Sequence, residues 1–203
     1  MALRIYGLLV LLSGLFSSAC SKPFPGGDEM ILLGLLGKTR YLFVTSSTNT
    51  GDLGGVAGAD LICQSAKTAE VPSLPGSSLE YVALIASSSR VPGGAGWPLF
   101  PGTNYYAMNP GETLIFHTDG SGLPVLPMSN ATGIPGAGDY WTGISNTGLG
   151  YSAGTNCNNW GSSNVIDDAN YGSPGSQTET AFDSGVGFGN TCDTPLRLLC
   201  VRN

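Results

Sequence analysis

Basic residues are scarce in this sequence: eight Lys and Arg stand against fourteen Asp and Glu, and the single histidine is His117. Such a balance argues against nucleic acid as a partner and against electrostatic adhesion to anionic lipid. A lone histidine cannot build a zinc site, and the five cysteines show no CxxC-type spacing. Charged residues of either sign make up only 11% of the chain, yet 41% is hydrophobic, so the composition is not that of a disordered polymer. No apolar run reaches the length of a membrane-spanning helix. What is abundant is turn chemistry, with 31 Gly and 13 Pro, and this points to a loop-rich fold with one core.

The first nineteen residues have the layout of a secretory signal. Arg4 gives a positive start, residues 5–16 are mainly apolar, and Ser17, Ser18 and Ala19 are small. Cys20 follows, where cleavage would leave it at the new N-terminus, as in bacterial lipoproteins; Ser17 stands where such signals usually carry Leu. Residues 1–19 are therefore read as a lipoprotein signal peptide and Cys20 as the lipidation site. Residues 20–37 are read as lipidated cysteine and tether, and 38–203 as the domain. The remainder holds seven basic and fourteen acidic residues, because only Arg4 is lost with the signal. Attachment would come from acyl chains, more than one of which is needed for stable anchoring. Residues 30–37 (MILLGLLG) are too short to span a bilayer.

An odd cysteine count in an exported chain needs an explanation. With Cys20 assigned to lipid, Cys63, Cys157, Cys192 and Cys200 remain, and in an oxidising compartment they are expected to form two disulfides. Three pairings are possible.

Residues 40–45 (RYLFVT) read as a strand and 46–55 as a Gly-rich loop. Residues 56–70 read as the one clear helix, with Ala59, Cys63 and Ala66 at i, i+4 and i+7 on its buried face. Residues 80–86 (EYVALIA), 112–117 (ETLIFH), 140–144 (YWTGI) and 196–201 (LRLLCV) are further strand candidates. Trp97, Tyr105 and Tyr106 fall among Gly and Pro, which reads as a loop covering a satellite cluster. Residues 145–192 are mostly Gly, Ser, Asn, Thr and Asp, and must be held by something other than their own core.

The segment RYLFVTSSTNTGDLGGVAGADLICQSAK (40–67) resembles the opening of the endostatin-like domain of leptospiral surface lipoproteins, within the C-type-lectin-like fold. YWTGI is similar to the core strand of that fold. Cys157, Asn158, Asn159 and Trp160 are similar to its mid-domain cysteine and tryptophan, and Leu199-Cys200-Val201 to its closing strand. The resemblance spans residues 38–203. It implies an α+β, C-type-lectin-like fold with nested bridges, Cys63 to Cys200 and Cys157 to Cys192. It also implies a non-enzymatic protein, lipid-anchored on the bacterial outer membrane, that engages extracellular matrix or complement proteins of a host. No cofactor is implied.

Residues 150–154 (GYSAG) match the G-x-S-x-G pattern, but the only histidine precedes them and no strand–turn–helix context is evident. Asp167, Asp168, Glu179, Asp183 and Asp193 could supply oxygen ligands to calcium. The E-P-N or Q-P-D and W-N-D elements of sugar-binding C-type lectins are absent, since Trp160 is followed by Gly161 and the nearest proline context is Gly133-Ile134-Pro135. A carbohydrate-binding lectin, calcium-dependent or not, and a structural envelope lipoprotein without ligand are the alternatives to host-protein binding. Asn130-Ala131-Thr132 is a glycosylation sequon by pattern, without meaning in a bacterium.

Overall fold

The computed structural model describes residues 39–108, 111–132, 138–185 and 189–203. The signal, Cys20 and residues 20–37 lie outside the described residues.

Strand β1 (Thr39–Val44) leads through a Gly-rich loop into helix α1 (Gly55–Ala69). Gly54 and Gly55, at φ 75° and 74°, turn the chain into the helix through the left-handed region that glycine enters at no steric cost. Ala59, Cys63 and Ala66 lie on the buried face, as their spacing requires, together with Lys67. Then come β2 (Tyr81–Ala83), β3 (Asn104–Met108), β4 (Glu112–His117) and β5 (Tyr140–Trp141). Short strands β6 (Asp168–Ala169), β7 (Tyr171–Gly172) and β8 (Asn190–Thr191) precede the closing strand β9 (Arg197–Arg202). The domain is α+β, with most of its regular structure in sheet and little in helix.

Strand β9 organises the sheet. One edge pairs antiparallel with β1, Phe43 opposite Cys200. Its other edge is shared, Leu198 lying opposite Trp141 of parallel β5 and Cys200 opposite Ala83 of antiparallel β2. The β2 run is short as a ladder because it changes partner: Leu84 N–H still donates to Leu199 O at 2.8 Å, but Ala86 N–H donates to Thr142 O at 2.7 Å. Both faces of β9 are buried, Leu198 and Cys200 in the cluster beneath α1, Leu199 and Val201 in the opposite cluster. A continuous apolar run such as LLCV, residues 198–201, is what a strand buried on two faces needs.

Two locks fix α1 on this sheet. The disulfide Cys63–Cys200 joins it to β9. The bidentate pair of Arg90 with Asp60, at 2.9 and 2.7 Å, is completed by Ala83 N–H donating to Asp60 Oδ1 and Arg90 donating to Ala83 O. Thirty residues separate the two charges, and the sequence offers no sign that they meet.

Tyr105 and Tyr106 are not in a loop. They belong to β3, which pairs in parallel with β1, Arg40 opposite Tyr105. Tyr105 stacks on Phe116 with ring centroids 5.0 Å apart, and its hydroxyl accepts from Phe100 N–H at 2.9 Å. Trp97 does lie in a loop, half-buried, with Nε1–H donating to Gly122 O. Among the described residues no helix is long and apolar enough to cross a membrane.

Candidate functional site: a braced loop face

The described residues between 145 and 192 carry little regular structure, and the second disulfide, Cys157–Cys192, spans a sequence separation of 35 with Cα atoms 5.6 Å apart. The two bridges thus form the nested pairing that the resemblance implies. Gly51 packs against this bridge so closely that a Cβ there would collide with Cys157 Sγ.

The chain from Cys157 to Trp160 forms one left-handed turn, with φ of 49°, 53°, 56° and 67°. Trp160 N–H donates to Asn156 O and Gly161 N–H to Cys157 O, at 2.9 and 3.0 Å. Left-handed helix costs roughly 1–2 kcal/mol per residue, so such a turn exists only where its surroundings enforce it. Several contacts do so. Asn156 Oδ1 accepts from Asn159 N–H at 2.9 Å, and Asn159 Oδ1 accepts from Ser88 N–H at 2.9 Å. The Trp160 ring is fully buried, its centroid 6.1 Å from that of Trp141, and its Nε1–H donates to Ala86 O at 2.8 Å. Gly143, at φ 61°, leaves room for the ring, since a Cβ there would lie 2.8 Å from both Trp160 and Ala86 O. The paired asparagines are the sequence sign of such a turn, since Asn tolerates the left-handed region; the tryptophan is held there by packing.

A buried polar hub joins the rest of the face. Asp183, 4% exposed, accepts through Oδ2 from Asn146 N–H at 2.9 Å and from the Asn170 side chain at 3.3 Å. Asn170 in turn donates to Ile144 O, and its carbonyl accepts from both Thr142 and Gly143 N–H. Among the described residues Asp183 Oδ1 has no hydrogen-bond partner. Burial holds this carboxyl above the ordinary carboxylate range, partly opposed by the amides of Asn146 and Gly185. A raised folded-state pKa means that the native state binds the extra proton, so stability falls as pH rises from the unfolded value, near 3.8, through the folded one. Asp183→Asn is therefore expected to raise the stability of the domain at neutral pH, with the advantage vanishing in acid. Thermal midpoints of both proteins at pH 7 and pH 3.5 check this; an advantage independent of pH would contradict it.

The other four candidate carboxylates are dispersed. Asp167 accepts from Ser162 Oγ at 2.5 Å, Asp168 sits in β6, Glu179 opens a single 3-10 turn, and Asp193 is exposed after β8. Among the described residues no three His, Cys, Asp or Glu side chains come together as a metal-holding group. His117 ends β4 opposite Asn104. At residues 150–154, Tyr151 makes an isolated bridge to Ile144 and Ser152 Oγ accepts from Thr155, so no strand–turn–helix elbow forms around the serine. Asn130 is engaged by its own fold, its side chain donating to Leu114 O at 2.8 Å.

Two features of this face escaped the sequence reading. No Lys or Arg occurs between Arg90 and Arg197, so every formal charge across that stretch is negative apart from His117 when protonated. Within it, Val165 and Ile166 stand 60% and 83% exposed at the tip of the loop before β6. Two adjacent apolar residues in a polar stretch are the only sequence signal for them.

Fold and site together define an α+β, disulfide-braced domain with a long loop face tied down by the second bridge. The chain belongs to the family described as "Protein of unknown function (DUF1554)", which it matches over residues 46–180. No curated protein matches it.

Proposed function

We propose that this protein is a lipid-anchored lipoprotein of the bacterial outer membrane, carrying acyl chains on Cys20 and displaying its domain at the cell surface. On this reading the domain is C-type-lectin-like, of the endostatin-like kind found in leptospiral surface lipoproteins. It binds host proteins, extracellular matrix components or complement regulators, and catalyses no reaction. The observation that carries the reading is the braced loop face: a long irregular surface held by the Cys157–Cys192 bridge and the Asp183–Asn170 hub. Loops held in place by a scaffold lose little entropy on binding, which suits recognition. The order of strand, Gly-rich loop, helical cysteine and closing-strand cysteine supports the family likeness.

The full chain, oxidised and held in mild detergent, should be tested against immobilised laminin, fibronectin, plasminogen and factor H and against a glycan array, each with and without chelator. Saturable binding to a host protein, unchanged by chelator, is the expected result. Chelator-sensitive glycan binding would move the protein to the lectins. Silence throughout, with the protein resistant to protease on intact cells, would leave a structural envelope lipoprotein.

A further inference from the structure

We propose that Val165 and Ile166 form a preordered apolar anchor that seats in a hydrophobic pocket ringed by lysine and arginine on a partner protein. The proposal rests on the host-protein reading above and names the contact that would carry it. Ile166 is the most exposed of the large apolar side chains among the described residues, and Val165 beside it is also well over half exposed. Leaving two adjacent aliphatic residues in water at a loop tip opposes solubility and brings the fold no burial in return, so the fold itself does not account for them.

The tip is ordered before any partner arrives. Ile166 N–H donates to Asn164 Oδ1 at 3.1 Å, Asp167 N–H to Asn164 O at 3.1 Å, and Asn164 N–H to Ser162 Oγ at 3.2 Å. Behind it, Cys192 N–H donates to Asp167 O at 2.9 Å, and Asp168 pairs with Thr191, which ties the loop to the disulfide. An anchor fixed in this way gives up little conformational freedom on docking.

Charge selects the partner. Asp167 and Asp168 follow the anchor directly, and the exposed Asp193 lies two residues beyond Thr191, the partner of Asp168 in the β6–β8 ladder. With no Lys or Arg between Arg90 and Arg197, nothing in that stretch offsets these carboxylates. An anionic lipid surface would be repelled by this rim, whereas a pocket bordered by Lys and Arg matches it in both polarity and charge.

The test uses the full oxidised chain and the host proteins of the panel above, with three variants. Val165→Ser/Ile166→Ser is expected to weaken binding about tenfold or more, as truncation of a buried anchor does. Asp193→Lys is expected to slow association and to flatten its salt dependence. Leu61→Ser/Leu79→Ser removes two other exposed leucines, on α1 and on the turn before β2, and should bind like the parent. Full binding by the Val165/Ile166 variant would overturn the anchor and leave the host-protein reading standing. A panel that is silent toward the parent overturns both. Binding of the unacylated chain to phosphatidylcholine vesicles that is lost in the Val165/Ile166 variant would make the tip a membrane contact instead. A lowered thermal midpoint in that variant would show the pair serving the fold, and would equally overturn the proposal.

Discussion

Replacing Cys63 and Cys200 together by alanine is expected to remove about 5 kcal/mol of stability, taking the chain-entropy account of a loop of this size. The two residues are 137 positions apart, so their bridge constrains most of the domain in the unfolded state. Total stabilities of small domains lie at about 5–15 kcal/mol, so one covalent link would account for a large share of this one. Location adds to the effect. Both sulfurs are fully buried in the cluster beneath α1, and Cys200 lies on the strand that pairs with β1, β2 and β5. The Arg90–Asp60 pair would still tie α1 to β2, but not to β9. Urea unfolding of parent and variant, both with Cys157–Cys192 intact, measures the difference. A loss below about 1 kcal/mol would mean that the unfolded chain is already compact around this contact.

Trp160→Ala is expected to cost about 3–5 kcal/mol, the range for removing a large buried aromatic. The ring packs on Trp141, and its loss leaves Ala86 O without the indole donor. The larger consequence is conformational. Trp160 holds the last residue of the left-handed turn, and Leu53 N–H donates to its carbonyl at 3.0 Å. Without the ring, the roughly 1–2 kcal/mol per residue stored in that turn favours its release. The amides of Leu53, Asn159 and Gly161 are therefore expected to exchange faster by more than the global loss of stability explains. Hydrogen exchange resolved by residue, set beside thermal unfolding, separates the two effects. Uniform acceleration across the domain would contradict the local account. Trp97→Ala, at a half-buried position, provides the milder comparison.

The elements that were legible in the sequence are those whose pattern is local. In α1 the buried positions recur at helical spacing, and in β9 four apolar residues stand together because both faces are covered. The strand β3 was not legible, because NYYAM is flanked in the sequence by Pro-Gly-Thr and Asn-Pro-Gly, and it becomes a strand by pairing on one side with β4 and on the other with β1, far earlier in the chain. Residues 145–192 were readable as a stretch in need of bracing, but not how the bracing works. The Asp183 hub assembles residues from three separate segments, and the left-handed turn is a tertiary product that no propensity foretells. The exposed pair Val165–Ile166 follows neither a helical nor a strand period, so its apolar character in a polar stretch did not say whether it is buried or exposed.

The central claim is that the braced loop face binds a host protein, and the most direct test compares one chain in two covalent states. Binding of the full chain to laminin, fibronectin, plasminogen and factor H would be measured oxidised, and again after both disulfides are reduced and the thiols capped. The account requires saturable binding in the oxidised state that is lost on reduction, because the loop face would lose the framework that orders it. Equal binding in both states would contradict it, placing recognition in features that need neither bridge.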